Sequence, residues 1–464
     1  MTSTLYRHGV VHSSADPFAE AILVDDGTVA WLGADDTADG LVDRADEVVD
    51  LDGAIVTPGF VDTHVDLLAT GLALLEATMP AGAVPTDPLD DGTRLTAYRR
   101  ALAHAAAHGV VAVHEMARPD TQGTSSARAG RAEHRRAAQA EPEWTEVHDT
   151  QAGLRTLLET TEDPVSGLPA VIGYWGGRSD DDVTELLAEV PGLTGVWAVV
   201  DGSLTEHSAW LRTPYADAPQ TGSHGVLTAD QVVERVVAAT RLGVQVCLWA
   251  AGDAALDAVL AGVRAATGVL GVPAVAGARH RVEHVALADP QALADTAALG
   301  LAASVQPAFE ATWGELAAVR VGDRAADLYP LAGLARAGIP TGFGSAAPAT
   351  PLDPWTGVRA AFAHHQPGQR VSARAAFRSA TRGGWRLTGS DGDGSGELRV
   401  GAPAHLAVWR ADDLVVQAAD GRFSTWSADA RAGTPVLPSL APDAAPPVCL
   451  RTVRSGITLH DTFG

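Results

Sequence analysis

The chain has 464 residues, 46% of them hydrophobic and 19% charged, so it can bury a sizeable core and is not globally disordered. Its formal net charge of -24 argues against nucleic acid and anionic membrane as partners, because both call for a basic face. All 33 basic residues are arginine, so the chain has no lysine for a Schiff base, for a P-loop, or for carboxylation between two metals.

The opening "MTSTLYRHGVVHSS" lacks a basic region followed by an apolar run, and no uncharged stretch is long enough to cross a bilayer. Cys247 and Cys449 lie far apart with no CxxC spacing, as suits a reducing compartment. A cytoplasmic protein is therefore expected. Residues 1–52 read as short strands with turns, and Asp26-Gly27 marks a hairpin. The same character returns in "GAPAHLAVWRADDLVV" and "CLRTVRSGITLHD". Residues 1–52 and 397–464 are thus expected to form one small, β-sandwich-like composite domain.

Between them the pattern alternates. Strand-like runs occur at "GAIVTPGFVDTHV", "GVVAVHEM", "PAVIGYWGG", "TGVWAVVDG", "GVQVCLWAAGD", "RHRVEHVAL", "GLAASVQPAF" and "IPTGFGSAAP". Helical patterns lie at 95–108, 182–190, 229–242, 253–266, 289–299, 327–338 and 353–365. Asp181, Asp253 and Asp289 suit N-caps, and Pro290 suits a first turn. Eight buried strands alternating with helices predict an α/β fold, a (β/α)8 TIM barrel over 53–396. Residues 119–150 are polar, with Arg128, Arg131, Arg135 and Arg136, and read as a surface loop or a recognition loop over the barrel mouth. Residues 411–448, rich in Pro and Ala, read as a strap.

Barrel chemistry sits at the C-terminal strand ends. Alternation puts Asp62, His64 and Asp66 on one face of strand 1. Strand 2 ends at His114 and Glu115, strand 4 offers Trp197 and Asp201, and strand 5 offers Cys247 and Trp249. Strand 6 ends at Glu283 and His284, strand 7 at Gln306, and strand 8 at Ser345 and Ala346. Cys247 reads as a core thiol, and Asp201 and Asp253 as capping residues.

"TPGFVDTHVDLLATG" resembles the first-strand motif of the amidohydrolase superfamily, PGF-[IV]-D-x-H-x-H. "WAAGDAALDAVL", "RHRVEHVALADP", "ASVQPAF", "GFGSAAPATPLDPW" and "WSADARAGTPVLP" resemble its Amidohydro-3, YtcJ-like branch, in family order and over most of the chain. The resemblance implies hydrolysis of non-peptide C–N bonds at a barrel-mouth site with one or two metals, usually zinc. There the metal lowers the pKa of a bound water and a strand-8 aspartate takes its proton.

Carried over residue by residue, the family pattern is eroded. His64 matches the first histidine of strand 1, but Asp66 stands for the second. Trp197 falls where a strand-4 lysine is common, Trp249 where the strand-5 histidine belongs, and Ala346 where the strand-8 aspartate belongs. His284 is kept. The long segment that usually carries substrate-binding elements between strands 1 and 2 is shortened at 74–97.

The resemblance therefore implies a vestigial metal site of His64, Asp66 and His284, and a pocket of Glu115, Trp197, Trp249, Gln306 and Ala346. Two readings stay open. One is a pseudoenzyme that keeps the barrel for a small-molecule ligand or a partner. The other is a hydrolase using a single zinc or other divalent metal on His64, Asp66 and His284, with Glu115 or Asp66 as base.

Overall fold

The computed structural model describes residues 3–78, 89–118, 148–176, 183–416 and 435–463. The eight apolar runs form one sheet of parallel neighbours. Its strands are β1 (Phe60–Val65), β2 (Val110–Ala117), β3 (Ala170–Trp175), β4 (Gly195–Val199), β5 (Gln245–Ala250), β6 (Arg281–His284), β7 (Ala302–Val305) and β8 (Thr341–Phe343). A bridge between Val65 and Ala347 brings the two ends of the sheet together. Beside it, the Ala346 N–H donates to the His64 carbonyl at 2.8 Å, and the Ser345 N–H to Asp62 Oδ1 at 3.0 Å. The chain is thus a nearly closed TIM-type barrel.

Helices lie where the periodicity put them, including Asp91–Ala107, Ala229–Leu242, Asp253–Leu270, Pro290–Ala298 and Pro354–Ala363. Asp289 caps the Ala292 N–H at 2.8 Å, with Pro290 in the first turn. The expectation for Asp253 needs correction, because Gly252 is the N-cap. A Cβ at Gly252 would lie 2.0 Å from the Trp210 carbonyl oxygen, so only glycine fits this approach. Asp253 instead receives the Arg212 N–H at 2.9 Å. Asp201 accepts three backbone N–H groups, from Trp210, Ala251 and Gly252, all at 2.8 Å. It ties the loop after β4 to the end of β5. Asp181 and residues 119–147, 79–88 and 417–434 lie outside the described residues.

Two further sheets come from the chain ends. One orders Thr28–Gly33, Ala21–Asp25, Thr4–Arg7 and Glu47–Asp50. The other orders Ile457–Asp461, Val448–Arg454, Leu406–Arg410, Ile55–Pro58 and Val10–Val11. Tyr6, Ile22 and Val24 of the first share one core with Val56, Leu406 and Leu450 of the second. Trp409 meets Phe60 of β1 edge-on, with ring centroids 5.7 Å apart, and fixes the second sheet to the barrel. Among the described residues no helix is long and apolar enough to cross a membrane.

Candidate functional site

Alternation along each strand sorts its side chains between the barrel lumen and the surrounding helices. The centre of the lumen holds Arg281, fully buried. Its guanidinium donates to Glu283 on its own strand, to His114 Nδ1 on β2 at 2.8 Å and to the Thr63 carbonyl on β1 at 3.3 Å. It also lies over the Tyr174 ring of β3 at 4.5 Å. Burial raises the Glu283 carboxyl, but Arg281 and the hydrogen bond from His64 outweigh it, and the net shift is downward. Burial first, then Arg281, pushes His114 well below its usual range. Burial raises the Cys247 thiol, which is inert among Met116, Tyr174 and Trp197.

Above this layer stand the sequence-predicted residues of the mouth. His64 Nδ1 lies 2.9 Å from Glu283 Oε2, an ionised carboxylate that only accepts, so Nδ1 carries the proton. His284 Nδ1 lies 2.9 Å from Gln306 Oε1. The Trp249 ring stacks on His284, with centroids 4.2 Å apart and planes 10° apart, and reaches His64 at 5.2 Å. Burial holds the His284 imidazole at about 4, neutral at physiological pH. Trp197 donates Nε1–H to the Ala117 carbonyl at 2.9 Å. It packs where a Cβ on Gly176 would come within 2.7 Å of its ring nitrogen.

Backbone strain marks the same rim. His284, Val285 and Ala346 hold φ of 74°, 47° and 53°, and Val285 is β-branched. Beside His284, Gln306 keeps a buried Nε2 with no partner among the described residues.

Asp66 and Glu115 end elsewhere. The chain turns into a helix directly after β1, and Asp66 becomes the N-cap of Leu67–Glu76, accepting the Ala69 N–H at 2.8 Å. On β2, His114 and Met116 both touch Arg281 in the lumen, so Glu115 between them faces the helices. Its Oε2 accepts the Leu67 N–H at 2.8 Å. There it joins Asp66 and Asp149, whose ligand atoms all lie within 4.8 Å of one another. Asp149 receives the Tyr98 hydroxyl and, at 3.0 Å, the Arg118 N–H. Burial first, then the neighbouring carboxylates, raises both Glu115 and Asp149. Among the described residues a second group with this spacing is Glu310, His364 and His365, where Glu310 accepts from the His365 N–H at 3.1 Å.

The strand-end reading named neither Asp149 nor the role of Arg281. Asp149 follows a long polar segment with no periodic signal. Arg281 was legible in principle, because two charges at period 2 in an apolar strand point into a barrel.

Residues 77–456 match the Amidohydrolase family, Amidohydro_3, and the chain belongs to that family. It is 29% identical over 173 residues to the YtcJ protein of Bacillus subtilis strain 168, named as an amidohydrolase, covering 36% of this chain and 32% of that protein. It is 45% identical over 51 residues to the imidazolonepropionase of Salinispora tropica, covering 11% of this chain and 12% of that enzyme. The matched parts are thus a third or less of these relatives. Among solved structures, a metal-dependent hydrolase of Pyrococcus furiosus superposes with a TM-score of 0.65 at 20% identity, covering 88% of this chain and 98% of that one. At these identities the structural likeness establishes the fold.

Proposed function

We propose that this amidohydrolase-family barrel binds a small ligand at its mouth and has lost the family's hydrolytic metal centre. The observation that carries this reading is the Trp249 indole stacked on His284 and packed against His64. A catalytic zinc takes about three protein ligands and a water. Here the strand-5 position carries an indole and the strand-8 position a methyl group, leaving two imidazole Nε2 atoms. Asp66 is a poor third, since its Oδ1 caps a helix and its Oδ2 lies 3.3 Å from Arg118 Nε. The donor set does not fit a hydrolytic zinc. The cavity beside His284, lined by Val305, Pro307, Tyr329 and Leu331, suits the apolar part of a small ligand, and the Gln306 amide, unpartnered among the described residues, suits an acceptor on it. In this reading residues 53–396 are the binding unit, and 1–52 with 397–464 its companion domain, to whose sheet Ile55–Pro58 lends a strand before the barrel begins.

Zinc content and turnover of the purified protein test the proposal. The expected result is well under one equivalent of zinc and no hydrolysis of dipeptides, cyclic ureides or imidazolones after zinc is added. Stoichiometric zinc with turnover overturns it. A single-metal hydrolase on His64, Asp66 and His284 is the second reading. It is favoured by one observation: both histidines commit Nδ1 to a neighbour and present Nε2, as metal-bound histidines do.

A further inference from the structure

The helix-facing side of β1 and β2 poses a separate electrostatic problem. Asp66, Glu115 and Asp149 are each at most 5% exposed. Burying a carboxylate is costly unless it is paired or hydrogen-bonded. Two arginines serve the group: Arg118, whose side chain is 47% exposed, lies 3.3 Å from Asp66, and the buried Arg94 acts on Asp149 through space. Four other donors serve the group: the N–H groups of Leu67, Ala69 and Arg118, and the Tyr98 hydroxyl.

One atom is left over. Glu115 is fully buried, and its Oε1 has no hydrogen-bond partner among the described residues. A fully buried carboxylate oxygen without a donor among the described residues, beside two further buried carboxylates, is a vacancy that a cation fills. We propose that Asp66, Glu115 and Asp149 form a site for one hard divalent cation of the calcium or manganese class, distinct from the histidine pair in the lumen.

The ligand chemistry selects that class. All donors are carboxylate oxygens, which suit calcium, magnesium and manganese, whereas zinc prefers nitrogen and sulfur. Three atoms within 4.8 Å of one another share a centre no more than about 2.8 Å from each, close to the roughly 2.3–2.6 Å of calcium–oxygen bonds. The ligands also come from rigid neighbours. Asp66 follows β1, Glu115 is on β2, and Asp149 is anchored to the helix Asp91–Ala107 through Tyr98. Occupancy would therefore tie two barrel strands to the helix that covers them. The second ligand group, Glu310 with His364 and His365, has no such vacancy. There His364 Nε2 is held by the Tyr329 carbonyl at 3.1 Å, and its Nδ1 receives the Gln366 N–H at 3.0 Å.

The test uses the full chain, stripped with a chelator and titrated separately with calcium, manganese, magnesium and zinc chlorides. Bound manganese is read from the loss of the free-ion EPR signal, and calcium from the melting temperature. The expected result is one equivalent of manganese and a higher melting temperature with calcium. Glu115→Gln should weaken binding at least tenfold. It keeps an oxygen for the Leu67 N–H and removes a like charge, so it should fold. Asp149→Asn gives the same reading if Glu115→Gln does not fold. His284→Gln should leave binding within twofold.

No manganese or calcium binding up to about 10 mM, above the millimolar weak end of protein calcium sites, overturns the proposal and leaves a proton shared among the carboxylates as the compensation. Binding unchanged in Glu115→Gln, or zinc bound in place of both hard cations, overturns it too. The two proposals fail separately: zinc lost in His284→Gln but kept in Glu115→Gln contradicts only the reading of the barrel mouth.

Discussion

His64 and Asp66 are two residues apart, and His114 and Glu115 are adjacent, yet the members of each pair end in opposite settings. On the lumen side each charge meets its complement: Arg281 holds Glu283 and His114, and Glu283 holds His64. On the helix side three carboxylates gather beside the half-exposed Arg118 and the buried Arg94, and among the described residues one buried oxygen goes without a donor. Both regions are equally buried. What separates them is compensation, and compensation decides whether a buried ionic cluster is a finished piece of structure or one that awaits a ligand.

The comparison can be broken most forcefully at its finished side. Arg281→Met leaves Glu283 buried without its cation. Removing one member of a buried pair costs about 3–5 kcal/mol, and urea unfolding should show a loss of that size. A loss below about 1 kcal/mol would mean that the lumen charges are not mutually dependent. Next comes Trp249→His. Trp→Ala in a core costs about 3–5 kcal/mol; with the smaller truncation and the partial exposure of Trp249, about 2 kcal/mol is expected. Hydrolysis should not return, because Ala346 supplies no base, and an unchanged melting temperature would show that the indole fills nothing.

A third test moves to the start of β6. His280 is buried, accepts the Val246 N–H at Nδ1 (3.0 Å) and lies 2.8 Å from the Thr240 hydroxyl. Burial lowers it to about 4, with no charged group contributing. A depressed folded value means that its stability contribution is complete above the unfolded value near 6.5 and is lost as pH falls toward 4. The stability advantage of the wild type over His280→Gln should therefore shrink by about 2 kcal/mol between pH 7 and pH 5. A pH-independent difference would place the imidazole in water. The smallest effect is expected from Ala346→Asp. Aspartate tolerates the left-handed backbone at φ 53° better than alanine, so the change in stability should stay within about 0.5 kcal/mol. A loss of several kcal/mol would mean that the methyl group packs tightly.

Much of this was legible before any coordinates. Apolar runs bounded by turns located all eight barrel strands, because a parallel barrel buries both faces of every strand. The family motif placed Trp249 and Ala346 at the mouth. Period-2 reasoning failed at Asp66, because the strand ends at Val65 and the next residue begins a helix, which swings the carboxylate away from His64. It failed for Glu115 too, since a strand end has two faces and only contacts with Arg281 reveal which one His114 takes. Asp149 reaches the site only through tertiary folding, and no local pattern encodes that.

The sheet that joins Val10–Val11, Ile55–Pro58 and Leu406–Arg410 has a consequence for the chain's birth on the ribosome. Ile55–Pro58 is made early, but its antiparallel partner is some 350 residues downstream. At roughly 5–20 residues per second the edge stays open for about 20–70 s. Throughout that interval an apolar strand with unpaired backbone groups faces solvent or whatever chaperone covers it. A nascent chain stalled before Leu406 should therefore be markedly more prone to aggregate than one released after Arg410.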